Sequence, residues 1–175
     1  MEDLKYPVGK FAFPRQASTE AERREWIRQI GEAPARMRAA VAGLSAEQLA
    51  TPYRPGGWTV AQVVHHVPDS HLHSYIRFKF GFTEDRPIVK PYDEARWAAL
   101  PDAVDTPVEV SLQLLEALHT RWVRFLESLN AADFTRSIVH PELGEVRLEQ
   151  NLALYAWHGR HHVGHIMSLR ERMGR

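Results

Sequence analysis

Apolar side chains recur every three or four positions in four long stretches of the chain, which is the spacing of helices that bury one face. The first stretch follows Thr19, the second follows Thr59, the third opens at Thr106-Pro107, and the fourth runs from about Glu149 to Met173. Each of the three threonines is followed three positions later by Glu or Gln, which is the sequence pattern of a capping box. Four such helices with long connections predict an all-α fold, a four-helix bundle.

Prolines and glycines predict where these helices bend or end. Pro34 in the first helix and Pro68 in the second each remove a backbone donor, so both positions predict bends. Gly81 is expected to end the second helix. Residues 93–100 suit a short helix, and residues 101–105 are expected to form a loop.

Two segments fall outside the helical pattern. Residues 1–17 contain Pro7, Gly9 and Pro14, and are expected to form an extended arm that packs through Tyr6, Phe11 and Phe13. Before the last helix, residues 137–140 and 145–148 predict a short β-hairpin about the turn 141–144.

Length, charge and composition exclude several classes of protein and of functional site. A chain of 175 residues fits one domain, which we assign to residues 1–175. The formal net charge is +0, so no global basic field favours nucleic acid or an anionic membrane. With no cysteine, thiolate metal sites and a cysteine nucleophile are excluded. No apolar run approaches the roughly 20 residues of a membrane span, and we expect a cytoplasmic protein.

The histidines are the residues of this sequence that indicate a chemical function. Eight of the ten histidines lie in two windows, residues 65–73 and residues 158–165. On the last helix they form two i, i+4 pairs, His158 with His162 and His161 with His165. Either pair could chelate one transition-metal ion from a single helix face, and the spacing does not choose between them.

The second helix offers a third ligand. There His66, Asp69, Ser70 and His73 share one face, whereas His71 lies on the opposite side. Three histidines from two helices would leave positions open for water or substrate, as in catalytic metal sites. Asp69 or Ser70 would then orient a ligand. The alternative interpretation is a packing seam of histidines that responds to pH.

Several motifs of this sequence resemble those of the DinB/YfiT-like family, and the likeness runs nearly from end to end. The motifs that carry it are Tyr6-Pro7-Val8-Gly9, Thr51-Pro52-Tyr53-Arg54-Pro55-Gly56-Gly57-Trp58-Thr59-Val60, Val63-Val64-His65-His66, Asp69-Ser70-His71, Ser74-Tyr75-Ile76-Arg77-Phe78-Lys79, Lys90-Pro91-Tyr92-Asp93-Glu94, Trp157-His158-Gly159-Arg160-His161-His162-Val163-Gly164-His165-Ile166 and Arg172-Met173-Gly174. One departure is Pro68, where the family pattern has a good helix former.

The resemblance implies a four-helix bundle, a homodimer and a divalent metal held by three histidines. Carried over by motif, the ligands are His66 from His65-His66 and the pair His161 and His165. Imidazole ligands suit several transition metals, and we expect zinc, with nickel as the next choice.

The resemblance also implies two activities. Members of the family are described as metal-dependent hydrolases and as transferases that join a low-molecular-weight thiol, bacillithiol in this branch, to an electrophile. Our leading hypothesis is the thiol S-transferase, with the hydrolase and a non-catalytic metal-binding protein as alternatives. A small-molecule substrate is expected in each enzyme, its binding candidates being His73, Asp69, Tyr75 and Arg77, and no catalytic residue is assigned.

Overall fold

The computed structural model describes residues 2–174, apart from the side chains of Glu2 and Asp3. Its α-helices are α1 (Glu2–Lys5), α2 (Glu20–Val41), α3 (Ala46–Leu49), α4 (Val60–Thr83), α5 (Glu94–Trp97), α6 (Pro101–Val104), α7 (Val108–Glu127) and α8 (Leu148–Arg172). A 3₁₀ turn (Asp133–Thr135) and the strands β1 (Ser137–His140) and β2 (Gly144–Arg147) lie between α7 and α8.

The four predicted helices correspond to α2, α4, α7 and α8, and they form a bundle. Helix α2 packs against α8 and α7, and α4 packs against the same two helices. Consecutive long helices α2 and α4 therefore lie diagonally across the bundle, joined by the connection through residues 42–59. This arrangement gives α4 and α8 a shared interface in the interior.

The capping predictions hold for two helices and are wrong for the third. The side chains of Thr19 and Thr59 accept from the third helical N–H, and Glu22 and Gln62 complete the boxes. Helix α7 instead begins after Pro107, with no side-chain cap. Proline already fixes the backbone angle that precedes the helix, so the turn forms without the threonine.

Three further predictions are corrected. Gly81 does not end α4, which continues to Thr83, because its missing side chain admits neighbouring core residues rather than a chain reversal. Residues 101–104 are helical rather than a loop, since Pro101 occupies the first turn where proline is favoured. Residues 2–5 of the predicted extended arm form the single-turn helix α1.

Helix α4 passes through Pro68 without interruption. The hairpin is confirmed, with strands β1 and β2 antiparallel, Ile138 opposite Val146 and His140 opposite Gly144. Gly144 has φ +73°, which glycine adopts without strain, and it begins β2 one residue earlier than predicted.

The core has two parts. One surrounds Trp122 and Phe78 and includes Ile138 and Leu148, and the other surrounds Met37 and Leu115 at the opposite end. The N-terminal arm lies along α8, where Phe11 contacts the Trp157 ring. Among the described residues, no helix is long and apolar enough to cross a membrane.

Alanine substitutions at two helical glycines test how closely α4 packs against the hairpin and the start of α8. A Cβ at Gly81 would lie 2.8 Å from Leu148 Cδ2 and 3.0 Å from Ile138 Cγ2, both on buried side chains. We expect Gly81→Ala to lower the free energy of unfolding by about 1–3 kcal/mol through overpacking. Urea denaturation measures the change.

Gly31→Ala is the matched control. Its Cβ would meet only Val123 Cγ2, at the ordinary contact distance of 3.5 Å. Alanine is the better helix former, so this variant should match wild type or gain up to about 1 kcal/mol. Equal losses in both variants would contradict the packing explanation.

Candidate metal centre

Three histidines from α4 and α8 meet inside the bundle, and we call them the histidine triad: His66, His158 and His162. One ring nitrogen of each lies within 4.8 Å of the other two. Within the described part of the chain, this is the only set of three or more histidine, aspartate or glutamate side chains so arranged.

The helical frame brings the triad together. His158 and His162 are one turn apart, so both side chains project from the same face of α8 toward α4. His66 lies in the second turn of α4, whose start is set by the Thr59 capping box. The Trp58 ring, immediately before that cap, packs on His66 with ring centroids 4.7 Å apart.

The donor atoms fit a transition metal. The Nε2 atoms of His158 and His162 lie 3.2 Å apart. Two nitrogens bound to one tetrahedral ion at about 2.1 Å would lie about 3.4 Å apart. Among the described residues, His162 Nδ1 is buried without a hydrogen-bond partner. Imidazoles arranged in this way suit zinc, copper, iron or nickel, and no thiolate is present.

Burial keeps the triad neutral. Desolvation and, to a lesser extent, electrostatic repulsion from His165 lower the pKa of His66 to about 4. Desolvation likewise lowers the pKa of His158 and His162 well below the ordinary value, with additional repulsion from nearby histidines. Each ring therefore offers a lone pair at neutral pH, which is the form that binds metal.

A chain of histidines continues from His158 away from the triad. His158 Nδ1 lies 3.0 Å from His71 Nε2, and His71 Nδ1 lies 2.8 Å from His119 Nε2. His119 Nδ1 in turn lies 2.6 Å from the backbone oxygen of Ile30. Helical periodicity places His71 on the face opposite to His66, and no sequence motif singles out His119.

A signal for both residues was present in the sequence. His71 and His119 each lie within the apolar pattern of a predicted core helix, where a polar ring needs a partner. Their pairing depends on the packing of α4 on α7, which periodicity does not predict.

The other i, i+4 pair on α8 lies against different neighbours. His165 stacks on Tyr53 with centroids 4.0 Å apart, and its Nε2 donates to the backbone oxygen of Lys5. His161 stacks on Trp157 with centroids 4.3 Å apart. The structure thus joins His66 to His158 and His162, and the ligand set His66, His161 and His165 does not form an equivalent group.

The physical reason is the N-terminal arm. The arm covers the side of α8 that carries His161 and His165, with Tyr6 beside His161 and Pro7 against Gly164. The carbonyl of Lys5 accepts a hydrogen bond from His165 Nε2. This hydrogen bond would have to break before that nitrogen could bind a metal.

The remaining candidate residues have separate places. Asp69 and Ser70 make no hydrogen bond from their side chains to the triad, although Ser70 Oγ lies 3.4 Å from Tyr155 Oη. His73 stacks on Tyr92 and bonds the Asp69 backbone oxygen, away from the triad. Tyr75 is a buried core residue.

A cavity of about 360 Å³ opens beside the triad. The triad lies in its wall with the apolar side chains of Trp58, Leu154 and Trp157. Arg77 and Tyr155 add polar groups. Arg77 donates to the Lys90 backbone oxygen, while its Nε is buried with no partner among the described residues.

Acid should destabilise the metal-free protein. A folded histidine such as His66, with a pKa of about 4, stays neutral while the unfolded chain takes up protons near 6.5. The unfolded state therefore binds more protons as pH falls from 6.5 toward 4, and each such histidine lowers stability by up to about 1.4 kcal/mol per pH unit. Urea denaturation with a chelator, from neutral to mildly acidic pH, measures this, and a stability that stays flat would contradict it.

Comparisons with known proteins identify the family of this chain. The DinB superfamily model matches residues 29–166. A protein of Bacillus cereus strain 03BB102, named "Putative metal-dependent hydrolase", is 53% identical over 173 residues, covering 99% of both chains. A protein of Bacillus thuringiensis subsp. konkukian strain 97-27 with a name of the same kind has the same identity and coverage.

Solved structures share the bundle. YfiT from Bacillus subtilis, described as "a probable metal-dependent hydrolase with an unusual four-helix bundle topology", matches with TM-score 0.95 and 44% identity over 98% of each chain. TT2238, described as a four-helix bundle protein, matches with TM-score 0.58 and 18% identity over 87% of this chain and 99% of its own, which shows a shared fold alone. By its sequence and its structure, the chain belongs to the DinB superfamily.

Proposed function

We propose that this protein is a metal-dependent enzyme whose histidine triad holds one divalent ion at the wall of a substrate cavity. The observation that carries the proposal is the convergence of three neutral imidazoles, with two Nε2 atoms 3.2 Å apart, beside that cavity. The names of the relatives, which refer to metal-dependent hydrolases, support it. Zinc is the metal we favour, followed by nickel.

The bound ion would supply a nucleophile. Three neutral ligands leave its +2 charge uncompensated, which lowers the pKa of a coordinated water or thiol and favours the anion. His66, His158 and His162 would hold the ion from two rigid helices, which would fix the three ligands before substrate arrives.

The cavity residues bind and orient the substrate. Trp58 and Trp157 provide apolar walls that exclude water from the electrophilic part of a small molecule. The Arg77 guanidinium offers an unpartnered Nε–H to an anionic or carbonyl oxygen. Burial raises the pKa of Tyr155, so its phenol stays protonated and can donate a hydrogen bond.

For the reaction, we favour transfer of a low-molecular-weight thiol to an electrophile. The chain contains no cysteine, so the sulfur nucleophile must come from a second substrate such as bacillithiol. Attack by the thiolate forms a carbon–sulfur bond, and the leaving group departs with the bonding electrons. The resemblance to the DinB/YfiT-like family supports this choice, and the homodimer that it implies stays a prediction.

Hydrolysis is the second candidate, favoured by the names of the relatives. The same histidine triad would activate water instead of a thiol. The two reactions differ in whether a thiol is consumed, so one set of assays separates them.

Metal content tests the ligand set. His66→Gln, His158→Gln and His162→Gln each remove one imidazole, and we expect bound zinc to fall from about one ion per chain to less than about a tenth. Mass spectrometry of tag-free protein measures metal and protein together.

The controls are His161→Gln and His165→Gln, the other i, i+4 pair. Both variants should keep about one ion per chain, because their side chains pack against Trp157 and Tyr53 instead. Loss of metal in these two variants, with retention in His158→Gln and His162→Gln, would restore the ligand set implied by the sequence resemblance.

Activity separates the two reactions. Zinc- or nickel-loaded protein with bacillithiol and a chlorinated aryl substrate should yield the thioether conjugate, detected by mass spectrometry. We expect His158→Gln to lose the conjugate to the metal-free background and His165→Gln to retain it.

Ester substrates without thiol provide the opposite test. Ester turnover that requires the triad, without conjugate formation, would support the hydrolase and overturn the transferase. Metal binding with neither activity across a broad panel would contradict both enzymes and favour a metal-binding protein.

A further inference from the structure

The series of histidines that continues from His158 ends at a backbone carbonyl, which a proline leaves without its helical donor. Pro34 lies inside α2 and has no N–H, so the carbonyl of Ile30, four residues earlier, lacks its helical donor. His119 Nδ1 lies 2.6 Å from that oxygen. A carbonyl only accepts, so the hydrogen of His119 must be on Nδ1.

The position of this hydrogen determines which ring nitrogens of His71 and His158 carry hydrogen. His119 is buried, and its two hydrogen-bond partners carry no charge, so the ring is neutral and its Nε2 can only accept. His71 Nδ1, 2.8 Å away, must therefore donate. His71 is also fully buried between uncharged partners and is therefore neutral, which leaves its Nε2 to accept from His158 Nδ1 at 3.0 Å.

We propose that His71 and His119 are positioning residues that place the hydrogen of His158 on Nδ1 and leave the Nε2 lone pair facing the metal. The metal part of this inference rests on the proposed function. The chain cannot run in the opposite direction, because the Ile30 carbonyl has no hydrogen to donate.

The arrangement also restrains the rings. The Trp122 and Tyr155 rings stand nearly perpendicular to His71, with centroids 5.8 and 5.2 Å away. A Cβ at Gly159 would lie 3.1 Å from the Ala33 Cβ, so glycine lets α2 approach α8 closely beside this ring. Metal-bound histidines usually donate their second N–H to a carboxylate, carbonyl or water. Here two further histidines connect that N–H to a carbonyl.

His71→Leu tests the inference, because it removes the acceptor of His158 while keeping an apolar side chain in the core. In metal-free wild type, long-range ¹H–¹⁵N spectra should show His158 protonated at Nδ1. In His71→Leu this tautomer should lose its dominance, and the Kd for zinc should rise about 10- to 100-fold. Competition with a chromophoric chelator measures the Kd.

Two more variants separate positioning from packing. His71→Gln carries an acceptor and a donor on one amide, so it should recover most of the affinity. Leu126→Ala, seven residues beyond His119 on α7, removes a buried core side chain and should lower stability without changing the tautomer or the Kd. Backbone spectra establish that each variant is folded.

Either of two results would overturn the inference. One is a wild-type His158 protonated at Nε2, and the other is a folded His71→Leu with the wild-type tautomer and Kd. If wild type binds no zinc, the proposed function fails, and the metal-free spectra still decide whether His71 and His119 control the tautomer.

Discussion

Burial of neutral imidazole rings among four packed helices is the constraint on which this structure depends. A buried ring nitrogen needs a hydrogen bond or an ion, because water is not there to satisfy it. The bundle meets that need in two ways. His71 and His119 find protein partners, whereas the triad directs its nitrogens toward one another beside a cavity.

All four long helices contribute to this arrangement. His158 belongs to α8, His71 to α4 and His119 to α7, and the series ends at the Ile30 carbonyl of α2. Pro34 would ordinarily count as a helix defect, yet here it frees the acceptor that His119 uses. The missing N–H of Pro34 in α2 and the orientation of the His158 ring on α8 are therefore linked by hydrogen bonds through the core.

Two glycines and the N-terminal arm give the two histidine pairs of α8 different neighbours. Gly159 admits Ala33 of α2, and Gly164 admits Pro7 of the arm, so each side of the helix has a close neighbour. The arm covers His161 and His165, while α4 faces His158 and His162. The open side of the triad then meets a cavity whose walls are apolar and whose polar groups include Arg77 and Tyr155. A cavity of this size and lining suits a small molecule better than a macromolecule.

Local sequence determined the elements of this protein. Capping boxes at Thr19 and Thr59 and the 3.6-residue periodicity are properties of neighbouring residues, so the four long helices and the short hairpin could be predicted. The two i, i+4 pairs on the last helix followed from the same periodicity. The end of α4 could not be predicted in the same way, because Gly81 serves packing against Leu148 and Ile138, which are distant in sequence, and the helix continues to Thr83.

Tertiary structure alone decided which histidines meet. His158 and His161 lie three residues apart on one helix stripe, and only the positions of α4 and the arm distinguish their surroundings. His119 lies far from the other histidines in sequence, and its role depends on α7 packing against α2 and α4. Helical periodicity specifies the direction of a side chain from its own axis, and the partner it meets is specified by how the axes pack.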